Sequence, residues 1–250
     1  MHPRKNVFKK TLIDLIDKTI GSSLLSNSDL CLALTRIEKN WLESLGANNI
    51  SVLPNCIPED YLKKRDPIVF KKKHRINGNM IFWLGAHIPI KNLEEIIATA
   101  AFVKDATFVL GGKPTEYTKK IIELAKKLQV DKRIRLVGEM NEKEKMEAYS
   151  AADAFILTSK FESFSYALIE AMSQECPVIA PNVGGIPEVV PDNFCLYPLG
   201  NFKELARKIN LILENKKLSK KIGKKGKEKV KKLFTFKTFS KKYVDLLKNI

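Results

Sequence analysis

The sequence predicts an α/β fold of the doubly wound, Rossmann-like kind, a parallel sheet with helices on both faces. Three observations predict it. Six short apolar, β-rich runs occur from residue 80 onward, each separated from the next by a helix-like segment. The runs start 17 to 27 residues apart, the rhythm of βαβ units. They are continuous rather than alternating, as expected of strands buried on both faces.

In chain order, a helical stretch near 7–20 comes first. A strand "DLCLAL" (29–34), a helix "RIEKNWLESLG" (36–46) and a strand "ISVLP" (50–54) follow. That βαβ fragment is too small to bury both faces of its own sheet. Residues 1–60 therefore read as the truncated remnant of a larger domain. Pro54, Pro58 and Pro67 punctuate the next stretch, and 61–78 is read as a linker. The main domain, 79–234, holds the runs "MIFWLG" (80–85), "TFVLGG" (107–112), "RIRLVG" (133–138), "DAFILTS" (153–159), "PVIAP" (177–181) and "FCLYP" (194–198). Helices are expected near 91–104, 115–128, 141–151, 164–175 and 201–215. The end, 235–250, places apolar residues at 236, 239, 243, 246 and 247, which predicts an amphipathic docking helix.

Composition narrows the function classes. The 44% hydrophobic content supports a core. The best candidate for a membrane span, Met80 to Ile90, is too short and is broken by Gly85, His87 and Pro89. The N-terminal "MHPRKNVFKK" lacks the apolar run of a leader, so a cytoplasmic location is expected. Cys31, Cys56, Cys176 and Cys195 are dispersed and read as reduced thiols. Three histidines and no Cys/His cluster make neither a metal nor another cofactor expected. Residues 203–250 hold 17 Lys/Arg against 4 Asp/Glu, so the net charge of +16 belongs mainly to the tail. Its lysine pairs read either as a solvated helix face or as a surface drawn to an anionic membrane. Nucleic acid ranks last, since no aromatics are interleaved with the lysines.

In an open parallel sheet, ligands bind beyond the carboxyl ends of the strands. Five segments fall there: Gly85 to Lys91, Gly111 to Thr115, Gly138 to Asn141, Ser159 to Ser165, and Asn182 to Pro187. Glu162 falls in the loop after "DAFILTS", and Glu170 lies in the helix that follows. Serine at 163–165 suits an N-cap, and a helix start offers free N–H groups and a favourable dipole to a pyrophosphate. Each carboxylate has two acceptor oxygens for a pair of sugar hydroxyls. An isolated glutamate pair at this spacing is more often an exposed loop acid and a surface helix residue.

The wider context changes that balance. "FESFSYALIEAM" followed by "CPVIAPNVGGIPEVV" resembles the donor-site signature of group-1 (family four) retaining glycosyltransferases of the GT-B fold. "SVLPNCIPEDY", "GAHIPIKNLEEII" and "RIRLVGEMNEKEKMEAYSAADAFILTS" resemble further segments of the same family, so the likeness runs from about residue 25 to 247. It implies a hexosyl-type transfer from a nucleotide sugar, with retention of anomeric configuration and no protein nucleophile. It assigns Glu170 to the ribose hydroxyls, Glu162 to the donor sugar and Lys91 to the pyrophosphate, with Glu162 and Lys91 as the catalytic pair. Ser163 and the backbone at Phe164 and Ser165 would meet the phosphates or sugar, Gly85 and His87 would line the donor loop, and Val137 and Gly138 would lie near the base.

Four departures from the family pattern stand out. Ala86 replaces an arginine, leaving His87 or Arg75 as substitutes for its charge. Ser163 and Ser165 replace glycines. Glu175 and Cys56 also stand where glycine is common and are expected to be tolerated. Most of the first GT-B domain, with its acceptor pocket, is not among these residues. The chain is thus expected to be an incomplete transferase or, alternatively, a non-catalytic donor-binding or partner subunit of a split enzyme. Expected partners are the nucleotide sugar, a lipid-linked or cell-envelope glycan acceptor and a second polypeptide supplying the missing half. An anionic surface at the inner membrane face is the remaining one.

Overall fold

The computed structural model describes residues 17–248, so most of the helix expected near 7–20 lies outside the described residues. A π turn at Asp17–Gly21 leads into α1 (Ser22–Ser26). Strands β1 (Cys31–Ala33) and β2 (Ile50–Val52) pair in parallel, Cys31 opposite Ile50. Helix α2 (Arg36–Ser44) crosses between them. Thr35 caps α2 by accepting from the Glu38 amide, and Glu38 reaches back to the Leu34 amide at 2.6 Å. The fragment owns a small core of Cys31, Ala33, Ala47 and Ile50, while Leu32, Ile37 and Trp41 stay exposed.

The segment 61–78 is more structured than a linker. Its helix α3 (Pro67–Lys73) starts on an Asp66 cap with proline in its first turn and packs on α6 (Glu142–Ala151). The main sheet contains β3 (Asn79–Leu84), β4 (Ala106–Gly111), β5 (Ile134–Gly138), β6 (Ala154–Ile156), β7 (Val178–Pro181) and β8 (Leu196–Tyr197). All pairings are parallel, in the order β5-β4-β3-β6-β7-β8. Met80, Ile81, Phe82 and Trp83 of β3 are fully buried, as the continuous apolar run predicts. On the edge strand β5, by contrast, Arg135 and Leu136 are exposed.

The crossovers are α4 (Leu93–Ala100), α5 (Glu116–Lys127), α6 and α7 (Tyr166–Ser173), followed by the short α8 (Ile186–Val189) and then α9 (Phe202–Glu214). Thr115 caps α5, and Asn141 and Glu144 form a capping box on α6. The lysine-rich stretch is α10 (Lys216–Leu233), which buries Ile222, Gly223, Gly226 and Val230 and packs along α7. Beyond it, Ile57 and Thr235 form a parallel bridge. The Ile57 amide donates to Phe234 O at 2.8 Å, and the Phe236 amide to Ile57 O at 3.0 Å. Helix α11 (Phe236–Leu247) follows, with Phe236, Tyr243, Val244 and Leu247 exposed.

Candidate functional site

Strand order reverses between β3 and β6, and the loops that leave their carboxyl ends flank the resulting crevice. The two loops are tied together. The Lys160 amide donates to Ile90 O at 2.8 Å, and the Thr158 hydroxyl donates to Lys91 O at 2.8 Å. These bonds bring Lys91 and Glu162, 71 positions apart in sequence, into a 2.6 Å ion pair. Ser159 Oγ donates to the same carboxylate oxygen at 2.7 Å. Lys91 ends a single 3-10 turn, and Asn92 after it has φ of 54°, so the chain turns sharply where the lysine must point inward.

The glycines expected at the rim bring backbone close to backbone. A Cβ on Gly184 would lie 2.1 Å from Glu162 O, and one on Gly185 would lie 2.0 Å from Ser163 O. The Gly185 amide donates to Glu162 O at 3.0 Å. The Gly-Gly turn thus braces the Glu162 loop through close backbone contact. Gly85 plays a similar part on the other loop. Its carbonyl passes so near Gly112, at φ of 123°, that a Cβ there would be 1.9 Å away.

Glu170, in the second turn of α7, is buried. Lys145 donates to its Oε1 at 2.8 Å and the Tyr149 hydroxyl to its Oε2 at 3.0 Å. Lys145 also reaches Glu142 and lies 5.6 Å from the centre of the Tyr61 ring. Burial works against the Lys145 ammonium, but Glu170 and Glu142 outweigh it and hold its pKa above the usual lysine value. Burial pushes the Tyr149 hydroxyl well above the usual tyrosine range, and the neighbouring Glu170 adds to this, so Tyr149 acts as a donor. Lys145, Tyr149 and Ser159, which bond to these two carboxylates, were not singled out by the motifs. The signal for Lys145 was present: it follows the Asn141 cap directly after β5, so it sits in a first helical turn at the ligand edge.

Several expectations are corrected. Ser165 occupies the N-cap position of α7, but its side chain makes no capping bond. The first amides of α7 therefore have no serine cap. Phe164 is buried, with its ring against Phe234 (5.6 Å) and Tyr166 (6.3 Å), which agrees with a role for its backbone rather than its ring. His87 is buried, with Nδ1 2.9 Å from Thr118 Oγ1 and its ring edge-on to Trp83. Its buried Nε2 has no hydrogen-bond partner, and burial lowers its pKa, which favours the neutral imidazole. Arg75 lies four positions ahead of β3, on the amino side of the sheet. Neither residue replaces the charge absent at Ala86. Glu175 takes a left-handed φ of 62°, where glycine is strain-free. Val137 and Gly138 end the edge strand, and Gly138 O accepts from the Gly112 amide at 2.8 Å. Among the described residues, no three His, Cys, Asp or Glu side chains come together as a metal site.

A parallel sheet whose order reverses beside a helix start and a lysine is the architecture of nucleotide-binding α/β proteins. Residues 64–229 match the family described as glycosyl transferases group 1, and the chain belongs to that family, as its motifs suggest. It is 27% identical over 219 residues to the N-acetyl-alpha-D-glucosaminyl L-malate synthase of Bacillus anthracis, covering 84% of this chain and 57% of that one. Against a phosphatidylinositol N-acetylglucosaminyltransferase subunit of Homo sapiens it is 31% identical over 188 residues, 73% of this chain and 37% of the other. The chain thus spans little more than half of the first relative and less of the second. The fold matches Anabaena Alr3699/HepE, solved in complex with UDP, with a TM-score of 0.87 at 20% identity over 93% of this chain and 67% of that one.

Proposed function

We infer that the chain is the donor-binding part of a retaining glycosyltransferase that moves a hexose-type sugar from a nucleotide sugar to a glycan acceptor. The observation that carries this reading is the Lys91–Glu162–Ser159 cluster at the switch point, in the loop that leads into α7. A bound diphosphate would draw Lys91 away from Glu162, freeing the carboxylate for the hydroxyls of the donor sugar. As the glycosidic bond breaks, negative charge collects on the departing diphosphate, where Lys91 and the α7 amides stabilise it. Glu170, held by Lys145 and Tyr149, would accept from the ribose hydroxyls. No metal or other cofactor enters this mechanism. The acceptor half would come from sequence outside these 250 residues, in the same or a second polypeptide, and would cover Leu32 and the outer face of α2. A lipid-linked or cell-envelope acceptor fits the exposed Lys217, Lys220, Lys221 and Lys224 of α10, which would meet an anionic membrane at the inner face. No helix among the described residues is long and apolar enough to cross a membrane.

The test is a thermal-shift titration of the chain with UDP, GDP, ADP and their sugars. At least one nucleotide should stabilise it. Lys91→Ala and Glu170→Ala should each weaken that nucleotide roughly ten- to a hundredfold, the worth of a charged hydrogen bond. Indifference of the wild type to every nucleotide refutes the reading. A second reading, a non-catalytic donor-binding subunit, is favoured by Ala86 together with the neutral, buried His87, which leave Lys91 without a second cation in its loop. Donor hydrolysis or transfer that appears only when the partner is added favours a split enzyme, and none under any mixture favours the non-catalytic subunit.

A further inference from the structure

Three lysines and no arginine stand in the loops that leave the carboxyl ends of the large sheet: Lys91 after β3, Lys113 after β4 and Lys160 after β6. Lys91 pairs with Glu162, and the charge of Lys160 acts on Glu95. Lys113 is exposed and has no acidic partner among the described residues. Resting on the donor reading above, we propose that Lys113 is the second cation of the diphosphate site, supplying from the β4 loop the charge that is absent at Ala86.

The backbone sets Lys113 beside that gap. Ahead of the lysine, the Gly85 amide donates to Gly111 O at 3.2 Å, and Gly85 O passes against Gly112. Beyond it, Thr115 Oγ1 donates to His87 O at 2.6 Å, and Thr118 Oγ1 meets the His87 ring at 2.9 Å. The segments 85–87 and 112–115 are therefore clamped together at both ends, with Ala86 inside one and Lys113 inside the other. Pro114 restricts Lys113 to extended backbone, and Thr115 is fixed as the cap of α5, so the loop has little freedom to carry the lysine away. This gives the buried His87 a purpose. It brings no charge to a ligand, but it holds the loop that does. Ala86 ends at its Cβ and leaves unfilled the volume an arginine would take. A lysine suits the task, since it is a compact point charge on a flexible stem and binds phosphate as such. Two cations then face the diphosphate as negative charge gathers on it.

Calorimetric titration of the whole chain with UDP, GDP and ADP, and with uridine, guanosine and adenosine, tests the proposal. For the diphosphate that binds best, Lys113→Gln should weaken affinity at least about fivefold and make binding less sensitive to salt. The matching nucleoside, which lacks the phosphates, should bind both proteins alike. Adding Ala86→Arg to Lys113→Gln should return the diphosphate affinity to within about threefold of the wild type, because the charge re-enters from the facing segment. Lys113 is exposed, so its loss leaves the fold unharmed. Diphosphate affinity indifferent to Lys113→Gln overturns the proposal and leaves the donor reading standing. An equal loss for the nucleoside does the same, as does a loss that the arginine fails to repair. Indifference of the wild type to all three diphosphates overturns the donor reading, and this proposal with it.

Discussion

Glu95 is buried in the first turn of α4, four positions past Lys91. One of its oxygens accepts from Asn92 Nδ2 at 2.6 Å and the other from the Gly200 amide at 2.9 Å. Burial pushes its pKa up to about 7, opposed in part by the Gly200 amide, the Tyr197 hydroxyl and the Lys160 charge. Asn92 carries the left-handed turn behind Lys91, so the state of Glu95 bears on how that lysine is presented. The folded protein holds the Glu95 proton more tightly than the unfolded chain does. The stability it confers is therefore complete below the ordinary carboxyl range and is lost as pH rises toward and through 7. Relative to Glu95→Gln, the wild type should lose stability from about pH 4.5 to 7.5, by up to about 3 kcal/mol. Urea unfolding of both proteins across that range checks this, and parallel pH curves contradict it.

Helix α10 lies on α7 through two glycines of unequal importance. A Cβ on Gly223 would be 2.1 Å from Glu175 O, a backbone atom that cannot move aside cheaply, while one on Gly226 would meet the flexible Met172 side chain at 3.0 Å. Gly223→Ala should cost about 1–3 kcal/mol and Gly226→Ala distinctly less, as read by thermal or urea unfolding. Equal costs would show that the close approach at Gly223 is not what sets the helix spacing. This contact also explains what the sequence concealed. The strands of the large sheet were legible because each is a short apolar run with a helix after it, a purely local signal. The packing of α10 was not, because its lysines dominate the composition and the glycines acquire meaning only beside Glu175. At the candidate site, Lys91, Glu162 and Glu170 were picked out by family likeness and not by their spacing. Their bonds to Ser159, Lys145 and Tyr149 join separate elements, and no local pattern announces them. The serine cap on α7 was over-read, since a serine before a helix also needs a side-chain rotamer that reaches the amides.

The molecule as a whole is two sheets joined where their carboxyl edges meet, and Glu188 is the side chain that reaches across. Lys229 supports it from behind, donating to Glu188 O and Val190 O at 2.7 Å each, and burial, the largest cause, lowers that lysine's pKa. Glu188→Ala should speed hydrogen exchange at the Arg36 and Ile37 amides by roughly five- to a hundredfold, since each gives up a charge-assisted bond. Exchange in β3 and β4 should stay unchanged. Unaltered exchange at those two amides would show that the contact does not persist in solution. The main chain leaves the small sheet near Ile57, where it lies beside the segment around Thr235 and is bonded to it. That pairing ties the passage out of the small sheet to the start of α11, so neither segment shifts without breaking backbone bonds.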